Sequence, residues 1–251
     1  MPGKRDWIKV FYMGIGATIS DLHLFSHHSR PERYFDRIDQ AAQQAEVFIL
    51  NGDIFDFKCS HHGVFSSSVV AAVHFIEALL DKHPDCRFHI ILGNHDAVPP
   101  YMEALEDLAT THPNLEWHEF ACVVDNRVFL HGDAIHAGSS NEAIRRFRSK
   151  LRRPANGHVL QRMAHSAVHR SHVPWIAFKV FPKRILASRL LAYLRHENWL
   201  NGGGIEHVYF GHTHLAFEDF RYRGYTFHNC GSATHGARLR VVRFPLLDRT
   251  P

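Results

Sequence analysis

Residues 47–56, Val-Phe-Ile-Leu-Asn-Gly-Asp-Ile-Phe-Asp, pass directly from an apolar run into a polar cluster. A short continuous apolar run is typical of a strand that is buried on both faces. The polar residues begin where such a strand would end, and Gly52 allows other groups to approach the backbone beside Asp53. The segment therefore predicts a buried strand that delivers carboxylates to one end of a sheet.

The same transition from an apolar run to a polar cluster occurs four more times. The further clusters are Asp21-Leu-His23, Gly93-Asn-His-Asp96, His131-Gly-Asp133 and Gly211-His-Thr-His214. Helical patterns separate the first three strands, and alternating strands and helices imply parallel strands joined by right-handed crossovers. Because the carboxyl ends of parallel strands meet at one edge of a sheet, we expect the clusters to converge there.

Three helices are predicted between these strands: one over about residues 31–44, one that follows the serines at 66–68 and runs to about residue 82, and one that follows the prolines at 99–100 and runs to about residue 110. A proline suits the first turn of the first helix, and a proline pair precedes the third. The serines at 66–68 are expected to cap the second helix.

The second half of the chain has shorter strand-like runs. A hairpin is predicted around the turn at Asp125-Asn126. Further strands are predicted at residues 208–210, 216–222, 225–229 and 238–244. We expect these late strands to be antiparallel, because only short turns separate most of them.

Length and charge bound the architecture. With 251 residues, 45% of them hydrophobic and 22% charged, the chain fits a single globular domain over residues 1–251. Residues 141–200 contain thirteen Lys or Arg and two acidic residues, a local charge of +11 in a chain of +4. We interpret this stretch as a basic helical insertion that forms a separate surface and meets an anion. Two other interpretations stay open: packing on the core with a solvated basic face, and a lipid-facing surface.

The cysteines and the first residues of the sequence indicate where in the cell the protein is expected. The four cysteines are widely spaced and form no CxxC pair, which favours reduced thiols. The polar start is not typical of a signal peptide, and the apolar run at 7–19 is too short to span a bilayer. We expect a cytoplasmic protein, with peripheral contact at the inner face of the membrane through 141–200 as an alternative. Its oligomeric state is left open.

The polar clusters supply carboxylate, imidazole and amide groups. The seven candidate metal ligands are Asp21, His23, Asp53, Asn94, His131, His212 and His214. This mixture suits two divalent ions, with manganese first and iron or zinc as alternatives. Ions about 3.5–4 Å apart need a bridging carboxylate, and Asp53 is the natural bridge. Two such ions attract a phosphate group and lower the pKa of a bound water, which becomes the nucleophile.

One histidine stays outside this ligand set. His95 is placed to protonate the leaving oxygen, with Asp96 or Asp56 as the partner that orients its ring. Asp133 is expected to be structural. A single cluster of this kind has an ordinary structural explanation, whereas five clusters at five strand ends favour a functional site.

Two further histidine-rich segments have no assigned role. They are His27-His28, and His61-His62 with the nearby Cys59. We expect them in solvated loops or at the rim of the site.

The motifs resemble those of the calcineurin-like metallophosphoesterase superfamily: DxH, GDxxD, GNHD, a histidine after a strand, and GHxH. All five occur in that order between about Thr18 and Ser232. The resemblance implies an α/β fold, a β-sandwich of two mixed sheets flanked by helices in an αββα arrangement. It also implies His95 as proton donor. It would place one metal on Asp21, His23, Asp53 and His214, and the other on Asp53, Asn94, His131 and His212.

Within the superfamily the chain resembles the group that contains bacterial UDP-2,3-diacylglucosamine diphosphatase. The likeness is carried by Ser20-Asp-Leu-His-Leu24, Gly52-Asp-Ile-Phe-Asp56 and His131-Gly-Asp133, followed by Phe147-Arg148-Ser-Lys150 and a basic helical stretch. It implies a cap around Trp175–Arg195. The expected substrate contacts are Asn94, His95, Arg148 and His212. Two departures bear on the substrate: His95 replaces an arginine typical of that diphosphatase, and residues 134–140 lack its paired aspartates.

Three functions are compatible with these residues. The first is a phosphohydrolase acting on a phosphorylated small molecule or a lipid-linked diphosphate, such as UDP-2,3-diacylglucosamine. The second is a nuclease or cyclic-nucleotide phosphodiesterase, although a basic stretch alone is weak evidence for nucleic acid. The third, a catalytically inactive metal-binding scaffold, is disfavoured because every ligand and His95 are present.

Overall fold

A computed structural model describes residues 12–58, 65–152 and 182–247 of the chain. Within these ranges the strands form two five-stranded sheets. The first sheet contains β1 (Tyr12–Ile19), β2 (Val47–Asn51), β3 (Arg87–Ile91), β4 (Leu115–His118) and β10 (Val242–Leu247). The second contains β5 (Ala121–Val124), β6 (Arg127–Leu130), β7 (His207–Phe210), β8 (Phe217–Tyr222) and β9 (Tyr225–Asn229).

Helices connect many of these strands. They are a 3-10 turn (Pro31–Tyr34), α1 (Phe35–Gln44), α2 (Phe65–Lys82), α3 (Pro99–Thr111), α4 (Ala134–Ala137), α5 (Asn141–Arg152) and α6 (Lys183–His196). The predicted start of the first helix is confirmed, and the third helix begins at Pro99, the first proline of the pair that was expected to precede it. The predicted serine cap is wrong, because α2 already includes Phe65 and the serines at 66–68 lie in its first turn.

The first sheet follows the predicted parallel arrangement. Its order is β10-β1-β2-β3-β4, and β1 to β4 pair in parallel through the crossovers α1, α2 and α3. β10 pairs antiparallel with β1 at one edge, and β4 forms the other edge without having been predicted. The carboxyl ends of β1, β2 and β3 therefore lie side by side, as the polar clusters require.

The second sheet corrects the antiparallel prediction. β7 pairs in parallel with both β6 and β9, and only the hairpins β5–β6 and β8–β9 are antiparallel. In sequence, α4, α5 and α6 lie between β6 and β7, so a crossover links these two strands and makes them parallel. The strand predicted at 238–244 begins instead at Val242 and belongs to the first sheet. Both sheets are thus mixed, as expected.

The two sheets pack face to face, with helices on the outside. Phe129 on β6 contacts Phe244 on β10, with ring centroids 5.1 Å apart, and stacks on Tyr209 of β7 at 4.7 Å. Residues of α1, α2 and α3 share this larger core, while α4, α5 and α6 form a second core with the outer face of the second sheet. The αββα sandwich is confirmed.

The described part of the basic stretch packs on the domain. The apolar arc of α6 is buried in the second core, with Leu190, Leu191 and Leu194 at 0% exposure. Each such leucine stabilises the fold by about 1.5–3 kcal/mol, so this arc is not available to a lipid. Residues 153–181, the middle part of the predicted insertion 141–200, lie outside the described ranges. No helix in the described ranges is both long and apolar enough to cross a membrane.

Candidate metal centre

The predicted ligands follow strand ends in an unusual backbone conformation. Five of the seven have left-handed φ angles, out of ten such non-glycine residues in the described ranges: Asp21 (51°), His23 (48°), Asp53 (51°), His212 (64°) and His214 (57°). A non-glycine residue in this region costs of order 1–3 kcal/mol, and such residues cluster at functional sites. The fold therefore holds strained turns at the positions that the sequence selects as ligands.

Two glycines make room for the ligands. Gly52 has a φ of +82°, and a Cβ there would lie 2.5 Å from Nδ1 of His131. A Cβ at Gly93 would overlap Oδ1 and the backbone nitrogen of Asp53. Only glycine permits these side chains to come so close to the strand ends.

The first ligand group combines residues from the first and fifth clusters. Nε2 of His23 lies 3.2 Å from Nε2 of His214 and 3.8 Å from Oδ1 of Asp21. Nε2 of His214 lies 3.3 Å from the same oxygen. Asp53 contributes Oδ2 at 3.9 Å from Nε2 of His23. This is the set of four residues predicted for one metal.

The second ligand group converges on Nε2 of His131. That atom lies 3.3 Å from each of Oδ2 of Asp53, Oδ1 of Asn94 and Nδ1 of His212. His131 is fully buried and Asn94 is 6% exposed. This is the set predicted for the other metal.

These spacings fit metal binding. A metal with bonds of 2.0–2.2 Å separates neighbouring ligand atoms by about 3.0–3.5 Å, and most of the measured distances lie in or near this range. One atom, Oδ2 of Asp53, belongs to both groups. The geometry thus supports the sequence prediction that Asp53 bridges two ions. The donors, carboxylate, imidazole and amide, also match the predicted class of metals.

Most of these side chains have the protonation state that metal binding requires. Burial lowers the pKa of His23 to about 4 and that of His212 well below its ordinary value, with His131 adding to the latter. Burial raises the pKa of the Asp53 carboxyl, but the charges of His131 and His95 outweigh it and hold the pKa well below its usual range. Neutral imidazoles and an ionised carboxylate are the forms that bind metals.

His131 is the exception. Burial lowers its pKa, but the adjacent carboxylate of Asp53 raises it to about 10. A metal held by His131 and Asp53 would require the ring of His131 to give up its proton.

His95 lies beside the ligand groups and outside them. Its Nδ1 is 2.9 Å from Oδ1 of Asp56, and its backbone N–H donates to Oδ1 of Asp53 at 2.7 Å. Burial lowers the pKa of His95, but the carboxylates of Asp53 and Asp56 raise it above its ordinary value. The orienting partner is therefore Asp56.

Asp96 does not have the alternative role considered for it. Its Oδ1 accepts from the backbone N–H of Gly93 at 2.6 Å and its Oδ2 from that of Ile54 at 2.8 Å. Asp96 is fully buried and holds the turn after β3 against the turn after β2. It shapes the loop that carries Asn94, and the prediction that it orients His95 is wrong.

The structure contradicts the prediction that Arg148 contacts substrate. Its side chain is 1% exposed, and Nε donates to Oδ2 of Asp133 at 2.7 Å. The remaining nitrogens donate to the backbone carbonyls of Glu119 and Leu92, each at 2.8 Å. The resemblance implied a substrate contact for Arg148, but its side chain faces inward. The structural role expected of Asp133 agrees with this pairing.

Sequence reasoning missed several residues that support the ligands. Nδ1 of His136, on α4, lies 2.8 Å from Nε2 of His212. Ser232 Oγ donates to the carbonyl of Asp21 at 2.9 Å, and Asn229 Nδ2 donates to that of Gly211 at 2.9 Å. Asn229 is the last residue of the predicted strand 225–229 and Ser232 follows it, so a sixth polar strand end was visible in the sequence.

The other histidine-rich segments are only partly described. His27 and His28 are exposed, as expected of a solvated loop. His61 and His62, with Cys59, lie outside the described residues.

A family profile described as calcineurin-like phosphoesterase matches residues 17–216. Among solved structures, the chain is similar to a dimetal phosphatase from Danio rerio, with 12% identity and a TM-score of 0.48; the alignment covers 95% of this chain and 94% of that chain. No curated protein matches the chain by sequence.

Proposed function

The chain belongs to the calcineurin-like phosphoesterase family, a family of metal-dependent hydrolases, and from this premise we propose a specific reaction and substrate class. The protein hydrolyses a phosphodiester or pyrophosphate by metal-activated water. Its substrate is a nucleotide- or lipid-linked diphosphate of the UDP-2,3-diacylglucosamine kind.

One observation carries the proposed chemistry. Oδ2 of Asp53 lies 3.9 Å from Nε2 of His23 and 3.3 Å from Nε2 of His131, so one carboxylate oxygen serves two ligand groups. Sites of this design hold two ions a few ångströms apart, which activate water and stabilise the charge on a phosphate in displacement. Asp21 and Asp53 are the carboxylates of the two groups. Two divalent ions therefore leave a net positive site that attracts an anionic substrate.

His95 supplies the proton that the leaving oxygen needs. Asp56 engages Nδ1, which leaves Nε2 as the nitrogen that can give a proton to the substrate, and 22% of the side chain is exposed. Attack on phosphorus breaks the bond to the leaving oxygen, and the proton on Nε2 passes to that oxygen. Asp56 stabilises the protonated ring beforehand and holds its orientation.

A cationic group beside the metal centre supports a diphosphate substrate. Arg189, from the basic stretch, donates to the carbonyl of Ile135 at 2.8 Å. Burial lowers the pKa of the neighbouring His136, and the charge of Arg189 lowers it further. The basic insertion thus brings a guanidinium next to the residue that contacts His212. A substrate with two phosphates has a second anionic group for such a position.

A substrate panel tests this proposal. Hydrolysis of UDP-2,3-diacylglucosamine, a cyclic nucleotide, single-stranded DNA and a generic aryl phosphodiester is measured with Mn²⁺ and with EDTA. We expect EDTA to abolish activity and UDP-2,3-diacylglucosamine to be the preferred substrate. Cleavage of DNA or the cyclic nucleotide alone would overturn the substrate class. Activity that persists in EDTA would overturn the metal-dependent chemistry.

A pair of variants on α6 sharpens the panel. Arg189→Ala is expected to lower kcat/KM for the diphosphate about tenfold or more, the loss of one charge-assisted contact, with a smaller effect on the aryl phosphodiester. Arg184, an exposed arginine on the same helix, provides the matched control Arg184→Ala. Equal losses on both substrates would contradict a role for Arg189 with the second phosphate.

A further inference from the structure

A second cluster of metal-ligand side chains lies outside the centre described above. It contains His89 on β3, His118 at the end of β4 and Cys122 on β5. One donor atom from each residue lies within 4.8 Å of the other two. We propose that these three side chains bind a zinc ion that links the two sheets.

The two histidines are already arranged as a chelating pair. Nδ1 of His89 lies 3.0 Å from Nε2 of His118, and the rings stack with centroids 5.3 Å apart. Zinc with bonds of 2.0–2.1 Å to nitrogen in tetrahedral geometry separates such atoms by about 3.4 Å. A shift of a few tenths of an ångström therefore converts the pair into two ligands.

Cys122 gives the cluster its selectivity for zinc. Its side chain is buried, as is that of His89, while His118 is half-buried. Two imidazoles and one thiolate suit zinc. In the centre described above, the ligand groups offer only nitrogen and oxygen, so sulfur distinguishes the two sites.

Glu116 borders the cluster on the solvent side. Its Oε2 lies 3.6 Å from Nδ1 of His89, and 64% of its side chain is exposed. A carboxylate here offers a fourth ligand and a route of entry for the ion.

A similar histidine pair elsewhere shows what the third ligand adds. Nδ1 of His207 lies 3.0 Å from Nε2 of His228, and their rings also stack at 5.3 Å. Within the part of the chain that the structure describes, no third His, Cys, Asp or Glu completes a group around this pair. A stacked histidine pair can therefore be a packing feature of this fold. Cys122 is what distinguishes the pair of His89 and His118 as a metal site.

The position of the cluster suggests what the ion does. β3 and β4 belong to the first sheet and β5 to the second, so one ion ties the sheets together at the β4–β5 connection. The carbonyl of His118 also accepts from the N–H of Leu92 at 3.1 Å, just before the loop that carries Asn94. The ion has a structural role in holding this edge.

Titration with cobalt tests the site, because a bond between cobalt and a thiolate has its own absorption band. Co²⁺ replaces zinc in such sites, and a cobalt–thiolate bond gives a near-ultraviolet charge-transfer band that nitrogen and oxygen ligands do not give. Metal-stripped full-length protein is titrated with Co²⁺. We expect the band to appear, to saturate, and to be displaced by Zn²⁺. Absence of the band in the wild-type chain would overturn the proposal.

Matched variants assign the sulfur. The band is expected to vanish in Cys122→Ser and to persist in Cys86→Ser, Cys59→Ser and His228→Ala. Retention of the band in Cys122→Ser, or its loss in Cys59→Ser alone, would overturn the assignment. Since Cys122 is buried, the partly exposed His118 provides a second test: His118→Ala should weaken cobalt binding more than about tenfold. Unchanged affinity in that variant would also overturn it.

The inference is independent of the catalytic proposal. Asp53→Ala removes the bridge of the metal centre and should leave the cobalt–thiolate band intact. Loss of the band in that variant would place the sulfur in the same site and overturn a separate zinc site.

Discussion

Nε of Arg148 donates to Oδ2 of Asp133 at 2.7 Å, in an ion pair that is buried on both sides. Asp133 follows β6, two residues after the ligand His131, while the carbonyl of Leu92 that accepts from the same guanidinium precedes the ligand Asn94. One arginine therefore fixes the ends of β3 and β6 relative to each other. Two ligands of the second group owe their relative position to this contact.

Arg148→Ala is expected to destabilise the protein strongly. Removing one partner of a buried pair leaves an uncompensated charge, so the free energy of unfolding should fall by about 3–5 kcal/mol. Urea denaturation measures this change. Arg145 on the same helix pairs with Glu119 but is 59% exposed, and Arg145→Ala should cost about 1 kcal/mol or less. Similar losses in the two variants would contradict the role of Arg148.

Asp56→Asn is expected to shift the pH profile of the reaction. His95 must be protonated to act as an acid, so kcat/KM falls as pH rises through its pKa. The charge of Asp56 contributes to raising that pKa, and its removal should move the alkaline limb of the profile to lower pH. His95→Ala should reduce kcat by about 10²–10⁴-fold and abolish that limb. An alkaline limb at the same pH in Asp56→Asn would rule out Asp56 as the partner.

The sequence predicted the metal centre better than the rest of the fold, and for a physical reason. Buried strands in a parallel arrangement appear as apolar runs in the sequence. A polar residue directly after such a run therefore lies at the edge of the sheet where the strands end. Asp21, Asp53 and Asn94 could be placed together by this rule alone. The pairing of strands in the second half of the chain could not be predicted in this way. β7 and β9 are as short as the strands of a hairpin, and their length gives no sign that they pair in parallel.

Side-chain direction was the information that the sequence lacked. Arg148 and Arg145 lie three residues apart on α5, yet one is buried and the other is exposed. His136 likewise lies within a short helix and not at a strand end, so nothing marked it as a neighbour of His212. Both contacts depend on how helices pack on the second sheet, which local pattern does not encode.

Metal stoichiometry should separate the two ligand groups. Asp53→Ala is expected to lose both ions, because Oδ2 serves both groups, whereas His23→Ala should lose one and retain the other. Equilibrium dialysis against Mn²⁺ with metal analysis measures the ions bound per chain. His27→Ala, at an exposed position, should bind as many ions as the wild-type chain. If Asp53→Ala still binds one ion tightly, the bridging assignment is wrong.

His136 is expected to orient a ligand without touching the metal. The two ring nitrogens of His212 have different neighbours. Nδ1 lies 3.3 Å from Nε2 of His131, in the second ligand group, and Nε2 lies 2.8 Å from Nδ1 of His136. A hydrogen bond to the far nitrogen of a metal-bound histidine fixes its tautomer and ring orientation, and losing it typically costs 10–100-fold in metal affinity or activity. His136→Ala should therefore lower Mn²⁺ affinity or kcat/KM by about that factor while circular dichroism stays unchanged. His196→Ala, at a histidine with a 57% exposed side chain, is the control and should have no effect. Wild-type affinity and activity in His136→Ala would show that the contact does not orient His212.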